Sequence, residues 1–372
     1  MRGLINMYKI GIILFHNIRF APFLENYLNI LKNFDHIEVD VLYVDRLPEL
    51  NEIKDEHHIA IRWRGFGINR TNKLAKIYNC ITYPSKAIKI IEKNEYDFLI
   101  VLTTMPAVLL CDFLVKRYPG KYIVDVRDYT KEHVAWYRKK EEKIFSNSAL
   151  NVISSPGFRS FLPPNDYYVM HNLNLVKGVC VNNFEEVKRR NKIRISYIGS
   201  IQYKTQCKKL IDLVAKDPDF EFFFYGNEIG GDEIRKYVDE VNCDRIQMKG
   251  TFEASEKERI YNESSLVFNC YGNDSLLLTK AISNKHYDAA LYQRPLLVSP
   301  DTLMEELAGE FAYAVSFENL KDLESLKKWF YNIDEEKFLE YTRTLIENAV
   351  QDNQKVEDLV RRICSRAKDM SK

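Results

Sequence analysis

Long apolar runs and paired cysteines are both missing from this sequence of 372 residues. No run approaches the roughly 18 to 20 apolar residues that cross a bilayer. The N-terminus lacks the long apolar stretch and the small-residue cleavage site of a signal peptide. The seven cysteines form no CxxC pair, which argues against a disulfide framework and against a zinc site. We therefore expect a cytoplasmic protein with reduced thiols.

An excess of one charge is missing too, because 54 Lys and Arg face 53 Asp and Glu. This balance, with no recognised nucleic-acid motif, predicts no nucleic-acid partner. One region departs from it: from Arg62 to Lys93 there are eight basic residues and one acidic residue. Four aromatic residues are interleaved there: Trp63, Phe66, Tyr78 and Tyr83. The mixture suits an anionic membrane surface or a lipid diphosphate; a solvated helix face explains it equally well.

Three catalytic motifs are absent. The sequence has no G-x-x-x-x-G-K-[ST] and no G-x-G-x-x-G after its first apolar run, which disfavours P-loop and dinucleotide enzymes. It has no G-x-S-x-G either, which disfavours an α/β hydrolase.

Short apolar runs alternate with amphipathic stretches along the chain. Runs such as FLIVL at 98–102 are apolar on both faces, as expected when helices cover both sides of a parallel sheet. A polar segment at 174–192 interrupts the alternation, which restarts with a strand at 194–198. We predict an α/β protein with two facing Rossmann-like, doubly wound domains. The predicted parts are an N-terminal domain at 1–173, a linker at 174–192, a second domain at 193–335 and C-terminal helices at 336–372 that pack back toward the N-terminal domain.

The most informative segment is YGNDSLLLTKAISNKHYDAALYQRPLLVS at 271–299. It predicts a loop, a helix that carries Asn284, Lys285 and Asp288, a break, and an apolar strand. Lys285 and Asp288 are three residues apart, so a helix places them on one face. A cation and a carboxylate there suit a ligand with both phosphates and sugar hydroxyls. The alternative is a solvated ion pair on a surface helix.

Residues that follow strands are the next candidates, because ligands of open α/β sheets bind beyond the carboxyl ends of the strands. Gly199 and Ser200 follow one strand and allow the backbone to approach an anion at a helix N-terminus, where Lys204 adds a charge. Gly226 follows the next strand and leaves space for a flat nucleobase, or is an ordinary turn glycine.

In the first domain, YIVDVRDYTKEH places Arg127, Asp128 and His133 near one strand end. These groups could orient an acceptor hydroxyl or handle its proton. The alternative is that Asp128 caps the following helix and His133 lies on its surface.

Other histidines are weaker candidates. His16 and Asn17 follow the first strand and are cleft-edge candidates by position alone. His57 and His58 are not expected to bind metal, because no carboxylate or cysteine recurs at ligand spacing. No metal site is therefore predicted.

The chain resembles the GT-B glycosyltransferases, and among them the retaining family 4 of bacterial capsule, exopolysaccharide and O-antigen synthesis. The resemblance covers essentially the whole chain and rests on YIGSIQYK, NKHYDAALYQRPLLVS, DVRDY and VISSPGFRSFLP. Asp288 stands seven residues before Pro295, at the position of a family glutamate that contacts the donor ribose. Lys280 replaces the family's other glutamate, and Ser200 replaces its usual arginine. Diphosphate neutralisation would then fall to Lys204, Lys285 and helix amides.

The resemblance implies a metal-independent, retaining hexosyltransferase without a cofactor. A nucleotide sugar, with UDP favoured, would bind the second domain. A saccharide on a polyprenyl diphosphate would be the acceptor, positioned by the residues from Arg127 to His133, at the inner face of the cell membrane. Two alternatives remain: a nucleotide-sugar 2-epimerase of similar fold, and an inactive GT-B-like subunit of a partner transferase, which Lys280 keeps open.

Overall fold

The computed structural model describes residues 7–47, 55–63, 73–173, 181 and 183–370. The chain divides into two compact units. The first unit comprises Met1–Asn172 and Gln351–Lys372, and the second comprises Leu173–Val350. Within the described residues, no helix combines the length and the apolarity that spanning a bilayer requires.

The first unit is built on a parallel sheet of seven strands in the order β3-β2-β1-β4-β5-β6-β7. The strands are β1 Tyr8–Leu14, β2 Ile37–Asp45, β3 His58–Arg62, β4 Phe98–Leu102, β5 Tyr122–Val126, β6 Leu150–Ile153 and β7 Tyr168–Val169. The helices are α1 Leu24–Leu31, α2 Lys73–Asn94, α3 Thr104–Leu109, α4 Cys111–Arg117 and α5 Ala135–Asn147, with 3-10 turns at Ile18–Phe20 and Pro156–Ser160.

The burial of the central strands explains why helices connect them. All five residues of β4 and all five of β5 are buried. Such strands must be covered on both faces, which crossover helices between parallel strands achieve.

The second unit repeats the plan with six parallel strands in the order β10-β9-β8-β11-β12-β13. The strands are β8 Ile193–Ile198, β9 Phe220–Tyr225, β10 Ile246–Gly250, β11 Leu266–Asn269, β12 Leu296–Val298 and β13 Ala312–Ala314. The helices are α6 Phe184–Lys188, α7 Lys204–Lys216, α8 Glu233–Val241, α9 Lys257–Glu263, α10 Leu276–Lys280, α11 Asn284–Leu291, α12 Leu303–Ala308, α13 Glu324–Asn332 and α14 Glu335–Met370, with 3-10 turns at Ala254–Glu256 and Gly309–Phe311.

Both sheets have the strand order of a doubly wound fold, in which the chain reverses direction beside the first strand of the sheet. The reversal lies between β1 and β4 in the first unit and between β8 and β11 in the second. The predicted pair of Rossmann-like domains is thereby confirmed. Ligands of such folds bind at the carboxyl ends of the strands beside the reversal.

Part of the segment predicted as a linker is helical. Residues 174–180 and 182 lie outside the described residues, but α6 forms within 174–192. Phe184 and Val187 are buried in the core of the second unit, next to Phe330 and Phe338. The mostly polar composition of this segment did not indicate that Phe184 and Val187 are buried.

Helix α14 belongs to both units. Near its start, Phe338 packs in the core of the second unit. Farther along, Val356, Val360 and Cys364 are buried in the core of the first unit. The Asn353 side chain accepts from the backbone N–H of His171 at 2.6 Å and donates to the carbonyl of the same residue at 3.1 Å.

Candidate functional site

The turns after β8 and β9 each contain a glycine with positive φ, +112° at Gly199 and +137° at Gly226. A Cβ on Gly226 would lie 1.9 Å from the carbonyl oxygen of Gly199, so the two turns touch backbone to backbone. A Cβ on Gly199 would meet no atom within 4 Å. Packing alone accounts for Gly226, in line with the turn-glycine alternative, while Gly199 borders open space.

Lys204 begins α7, but its ammonium group is already paired. Its Nζ lies 3.1 Å from a Glu233 carboxylate oxygen and 3.5 Å from one of Glu228. The hydrogen bond to Glu233 raises the pKa of Lys204. Two carboxylates therefore neutralise the cation that the sequence assigns to a diphosphate. The N-cap residue Tyr203 makes no side-chain capping bond to the first amides of α7.

Lys285 lies in α11 with only 8% of its surface exposed. Its Nζ donates to the hydroxyl of Tyr271 at 2.8 Å. It also lies 4.7 Å from the centre of the Tyr197 ring and 4.9 Å from that of Tyr271. Tyr203 stacks on Tyr271 with ring centres 4.2 Å apart. Among the described residues, no carboxylate forms an ion pair with this ammonium group.

Tyr197 connects Lys285 to the glycine turn. Its hydroxyl donates to the carbonyl of Ser200 and accepts from the N–H of Gln202, both at 3.0 Å. The Ser200 side chain is exposed, as is that of Asn284 at the first position of α11. The structure thus brings Lys285 and the turn at Gly199 together through one buried tyrosine.

Asp288 is also buried, with 8% exposed. One carboxylate oxygen lies 2.6 Å from Nζ of Lys257, and the other accepts from the Tyr261 hydroxyl at 3.4 Å. Burial raises the pKa of Asp288, although Lys257 opposes the shift. Lys285 and Asp288 therefore do not form the solvated ion pair of the alternative interpretation, because both are buried and each has other partners. No local pattern around Lys257 indicates this pairing in the sequence.

In the first unit, Arg127 is a buried structural cation. Its guanidinium pairs with Asp125 and donates to the Met170 carbonyl at 2.9 Å and the Asn172 side chain at 2.8 Å. The Tyr27 hydroxyl donates to the same Asp125 carboxylate at 2.8 Å. Arg127 therefore fixes the end of β5 to the segment after β7.

Asp128 and His133 are exposed. Helix α5 starts at Ala135 with Val134 as its N-cap residue, so Asp128 does not cap it. His133 lies before the helix, and its Nδ1 is 3.2 Å from the Tyr129 hydroxyl. Asp128 and His133 form no hydrogen bond or ion pair with each other.

His16 and Asn17 differ in accessibility. Asn17 is buried, and its side chain donates to Asp45 at 3.2 Å and accepts from the backbone N–H of Arg46 at 3.1 Å, which ties β1 to β2. His16 is half-buried against Phe23, with ring centres 6.2 Å apart. Burial lowers its pKa.

One buried polar cluster was not predicted. Glu132 accepts from the Thr104 hydroxyl at 3.4 Å and from the backbone N–H of Thr130. The Tyr137 hydroxyl donates to Thr104 at 2.9 Å. Thr104 follows β4, one of the two strands beside the chain reversal of the first sheet. In the sequence, its position after the FLIVL strand is the feature that could have identified this cluster.

Glu141, on α5, is a buried carboxyl group near this cluster. It is 1% exposed, and neither of its carboxyl oxygens has a hydrogen-bond partner in the described part of the chain. Burial, reinforced by nearby Glu132, raises the pKa of Glu141 to about 8.

Carboxylates from β2 approach His57, although no ligand spacing in the sequence indicates them. Its Nδ1 lies 2.9 Å from Asp40, whose other oxygen accepts from the Tyr96 hydroxyl at 2.7 Å. Glu38 also approaches, so that three potential ligand atoms lie within 4.8 Å of one another. Glu38 and Asp40 alternate along β2, and the neighbouring strand end supplies His57.

No family model matches the sequence, and no curated protein is significantly similar to it. Solved structures do match. Sucrose-phosphate synthase from Thermosynechococcus elongatus is 12% identical, with a TM-score of 0.62 over 97% of this chain and 98% of that one. HepE from Anabaena, in complex with UDP and glucose, is 13% identical, with a TM-score of 0.62 over 94% and 98%.

A putative UDP-N-acetylglucosamine 2-epimerase from Listeria monocytogenes is 13% identical, with a TM-score of 0.55 over 90% of both chains. These likenesses, together with the two parallel sheets, define a two-domain Rossmann-like GT-B fold.

Proposed function

We propose that this chain is a glycosyltransferase that uses a nucleotide sugar, with a UDP-sugar favoured, as its donor. The observation that carries the proposal is Lys285, a buried ammonium group without a carboxylate partner in the described structure, near the carboxyl ends of β8 and β11. A buried charge is stable only when it is paired or well hydrogen-bonded. A diphosphate beside Tyr271 would supply the missing negative charge.

The structural neighbours support this choice of donor. HepE is described in complex with UDP and with UDP-glucose, and sucrose-phosphate synthase and a lipopolysaccharide galactosyltransferase share its fold with this chain. The turn at Gly199 and the start of α7 are connected to Lys285 through Tyr197, whose hydroxyl bonds to Ser200 and Gln202 and whose ring lies beside the ammonium group. Helix N-termini favour phosphate binding.

Leaving-group stabilisation is the main chemical task in this proposal. The bond between the sugar and the diphosphate breaks as the acceptor oxygen bonds to the same carbon, and the acceptor proton passes to the departing phosphate. Lys285 and the α7 amides would stabilise the charge that builds on the diphosphate. Asp288, held by Lys257, would accept hydrogen bonds from the ribose hydroxyls. The reaction would need no metal ion and would retain the anomeric configuration.

The acceptor would be a lipid-linked saccharide of surface polysaccharide synthesis, handled by the first unit. Asp128 and His133 are its exposed candidates for contact with the acceptor hydroxyl. Arg127 is a positioning residue, because it acts through Asp125 and the segment after β7.

A 2-epimerase is the second candidate, favoured by the Listeria neighbour. It would convert a nucleotide sugar without an acceptor. NMR of UDP-N-acetylglucosamine incubated with the protein alone separates the two, since an epimerase would produce a second sugar signal and a transferase would not.

Lys285→Met tests the proposed donor site, because methionine keeps much of the side-chain volume and removes the charge. We expect kcat/KM for transfer from a UDP-sugar to fall at least tenfold, since loss of one such donor typically costs about 2.7 to 4 kcal/mol. Lys208→Met is the matched control, because Lys208 is a surface lysine paired with Glu233.

Near-normal transfer by a folded Lys285→Met protein would count against the site. The same assay in EDTA should run at an unchanged rate. A loss that manganese restores would reject a metal-independent reaction.

A further inference from the structure

Helix α2 has an outward face that is unusually apolar. Its inward residues, Asn79, Tyr83, Ala87 and Ile91, recur every four positions and are buried. On the opposite side lie Leu74, Ile77, Tyr78 and Ile81, which are 76%, 57%, 49% and 73% exposed. At about 100° per residue, these four positions fall within one face over two turns of the helix. Exposed apolar residues normally occur singly, whereas a contiguous patch of them marks an interaction site.

Lysines flank this apolar face. Helix α2 contains five lysines and one glutamate, and the lysines are Lys73, Lys76, Lys86, Lys89 and Lys93. Helical geometry places Lys73 on one side of the apolar face and Lys89 on the other. A helix with an apolar face and lysines beside it is the pattern of segments that lie in the plane of a membrane interface.

The residues exposed on this surface differ from those that suggested membrane contact in the sequence. Trp63 and Tyr83, two of the aromatic residues that suggested membrane contact in the sequence, are buried at 5% and 1% exposed. Phe66 lies outside the described residues. The aliphatic side chains of Leu74, Ile77 and Ile81 form most of the exposed face instead.

We propose that this face of α2 docks on an anionic lipid bilayer. Each lysine near such a surface is attracted by its negative potential, and the apolar side chains enter the boundary between headgroups and acyl chains. A second copy of the chain fits less well, because a symmetric interface would oppose the lysines of one copy to those of the other. Docking goes beyond the proposed transfer reaction and would bring the first unit to membrane-borne acceptors.

Vesicle cosedimentation of the full chain, without nucleotide sugar, tests the proposal. We expect binding to vesicles of phosphatidylglycerol and phosphatidylcholine, much weaker binding to phosphatidylcholine alone, and a decline as salt rises. Ile77→Asn combined with Ile81→Asn should weaken binding at least tenfold. Each of Lys73→Gln and Lys89→Gln should weaken it about fivefold.

Tyr331→Asn is the matched control, because Tyr331 is a similarly exposed apolar residue on α13 of the second unit. It should bind vesicles as the unaltered protein does. Equal binding by the folded Ile77→Asn/Ile81→Asn protein, or no binding by the unaltered protein, would overturn the proposal. A lipid-free dimer that the double substitution dissociates would overturn it in favour of self-association. Transfer to a water-soluble acceptor should survive the double substitution, so a failed docking test leaves the transfer proposal intact.

Discussion

Buried charged side chains differ in how they are compensated, and the difference distinguishes structural groups from the lysine of the proposed donor site. Arg127 pairs with Asp125, and Asp288 pairs with Lys257, so both carry their counter-charge within the fold. Lys285 forms no ion pair among the described residues: its ammonium group donates to the Tyr271 hydroxyl and lies over two tyrosine rings, and the Asp288 carboxylate that acts on it from farther away is already paired with Lys257. Glu141 has no hydrogen-bond partner there at all. Lys285 can recruit a ligand anion, whereas Glu141 is expected to avoid its charge by remaining protonated.

Glu141→Gln tests whether Glu141 remains protonated in the folded protein. The pKa of Glu141 rises from an ordinary 4.5 to about 8 on folding, so the folded state binds more protons than the unfolded state between these two values. The group therefore lowers the stability progressively as pH increases from about 4.5 to about 8. Glutamine mimics the neutral acid, so we expect the variant to melt higher than the unaltered protein at pH 8 and to show a flatter pH dependence.

Melting temperatures measured from pH 5 to pH 8.5 check this expectation. Glu142→Gln is the control, because the neighbouring carboxyl group is exposed on the same helix. Parallel curves for Glu141→Gln and the unaltered protein would show that Glu141 is charged in the folded state.

At this scale the sequence indicated candidates but not their partners. Helical spacing was enough to place Lys285 and Asp288 on one helix. It could not indicate that Lys204 meets Glu228 and Glu233, or that Lys257 meets Asp288. These contacts join separate elements, and their sequence separations range from 24 to 31 residues.

Helices and strands differ in how far local sequence determines them. The strand at 98–102 has the predicted bounds, because it is a continuous apolar run. Short helices were harder: α10 lies where a loop was predicted, and α6 lies within a predicted linker. At the C-terminus, the several helices predicted at 336–372 are one continuous helix, α14. Five-residue helices contain too few turns for a periodic pattern.

Helix α14 allows a matched test of burial within one element. Val360 is buried in the core of the first unit, whereas Val350 is 36% exposed. We expect Val360→Ala to lower the free energy of unfolding by about 1.5 to 3 kcal/mol. Val350→Ala should change it by less than about 0.5 kcal/mol. Any gain in helix propensity is shared by the two variants and cancels in the comparison. Equal effects in urea denaturation would mean that the C-terminal part of α14 does not contribute to that core.

Across the whole molecule, two units with separate cores predict a selective response to ligand. A UDP-sugar at about 100 times its Kd should stabilise the unit that binds it by about 2.7 kcal/mol. Calorimetry should therefore show a shift of the second unit's transition, with Val360→Ala marking the transition of the first unit. UDP-, GDP- and TDP-sugars compared in this way would rank the nucleobases. A shift confined to the first unit would contradict donor binding by the second.

The fold as a whole was the most predictable level. Alternation of apolar runs with amphipathic stretches predicted two doubly wound domains, and both sheets confirm it. The membrane-facing surface was less predictable, because composition counted Trp63 and Tyr83 without showing that both are buried. Burial depends on tertiary packing, which no local pattern in a single sequence specifies.

The contact between Gly226 and Gly199 has a practical consequence for protein engineering. Position 226 tolerates no substitution without moving the neighbouring loop, so mutant libraries aimed at altered donor preference should leave it unchanged. Diversity is better introduced at Ser200 and Asn284, whose side chains are exposed.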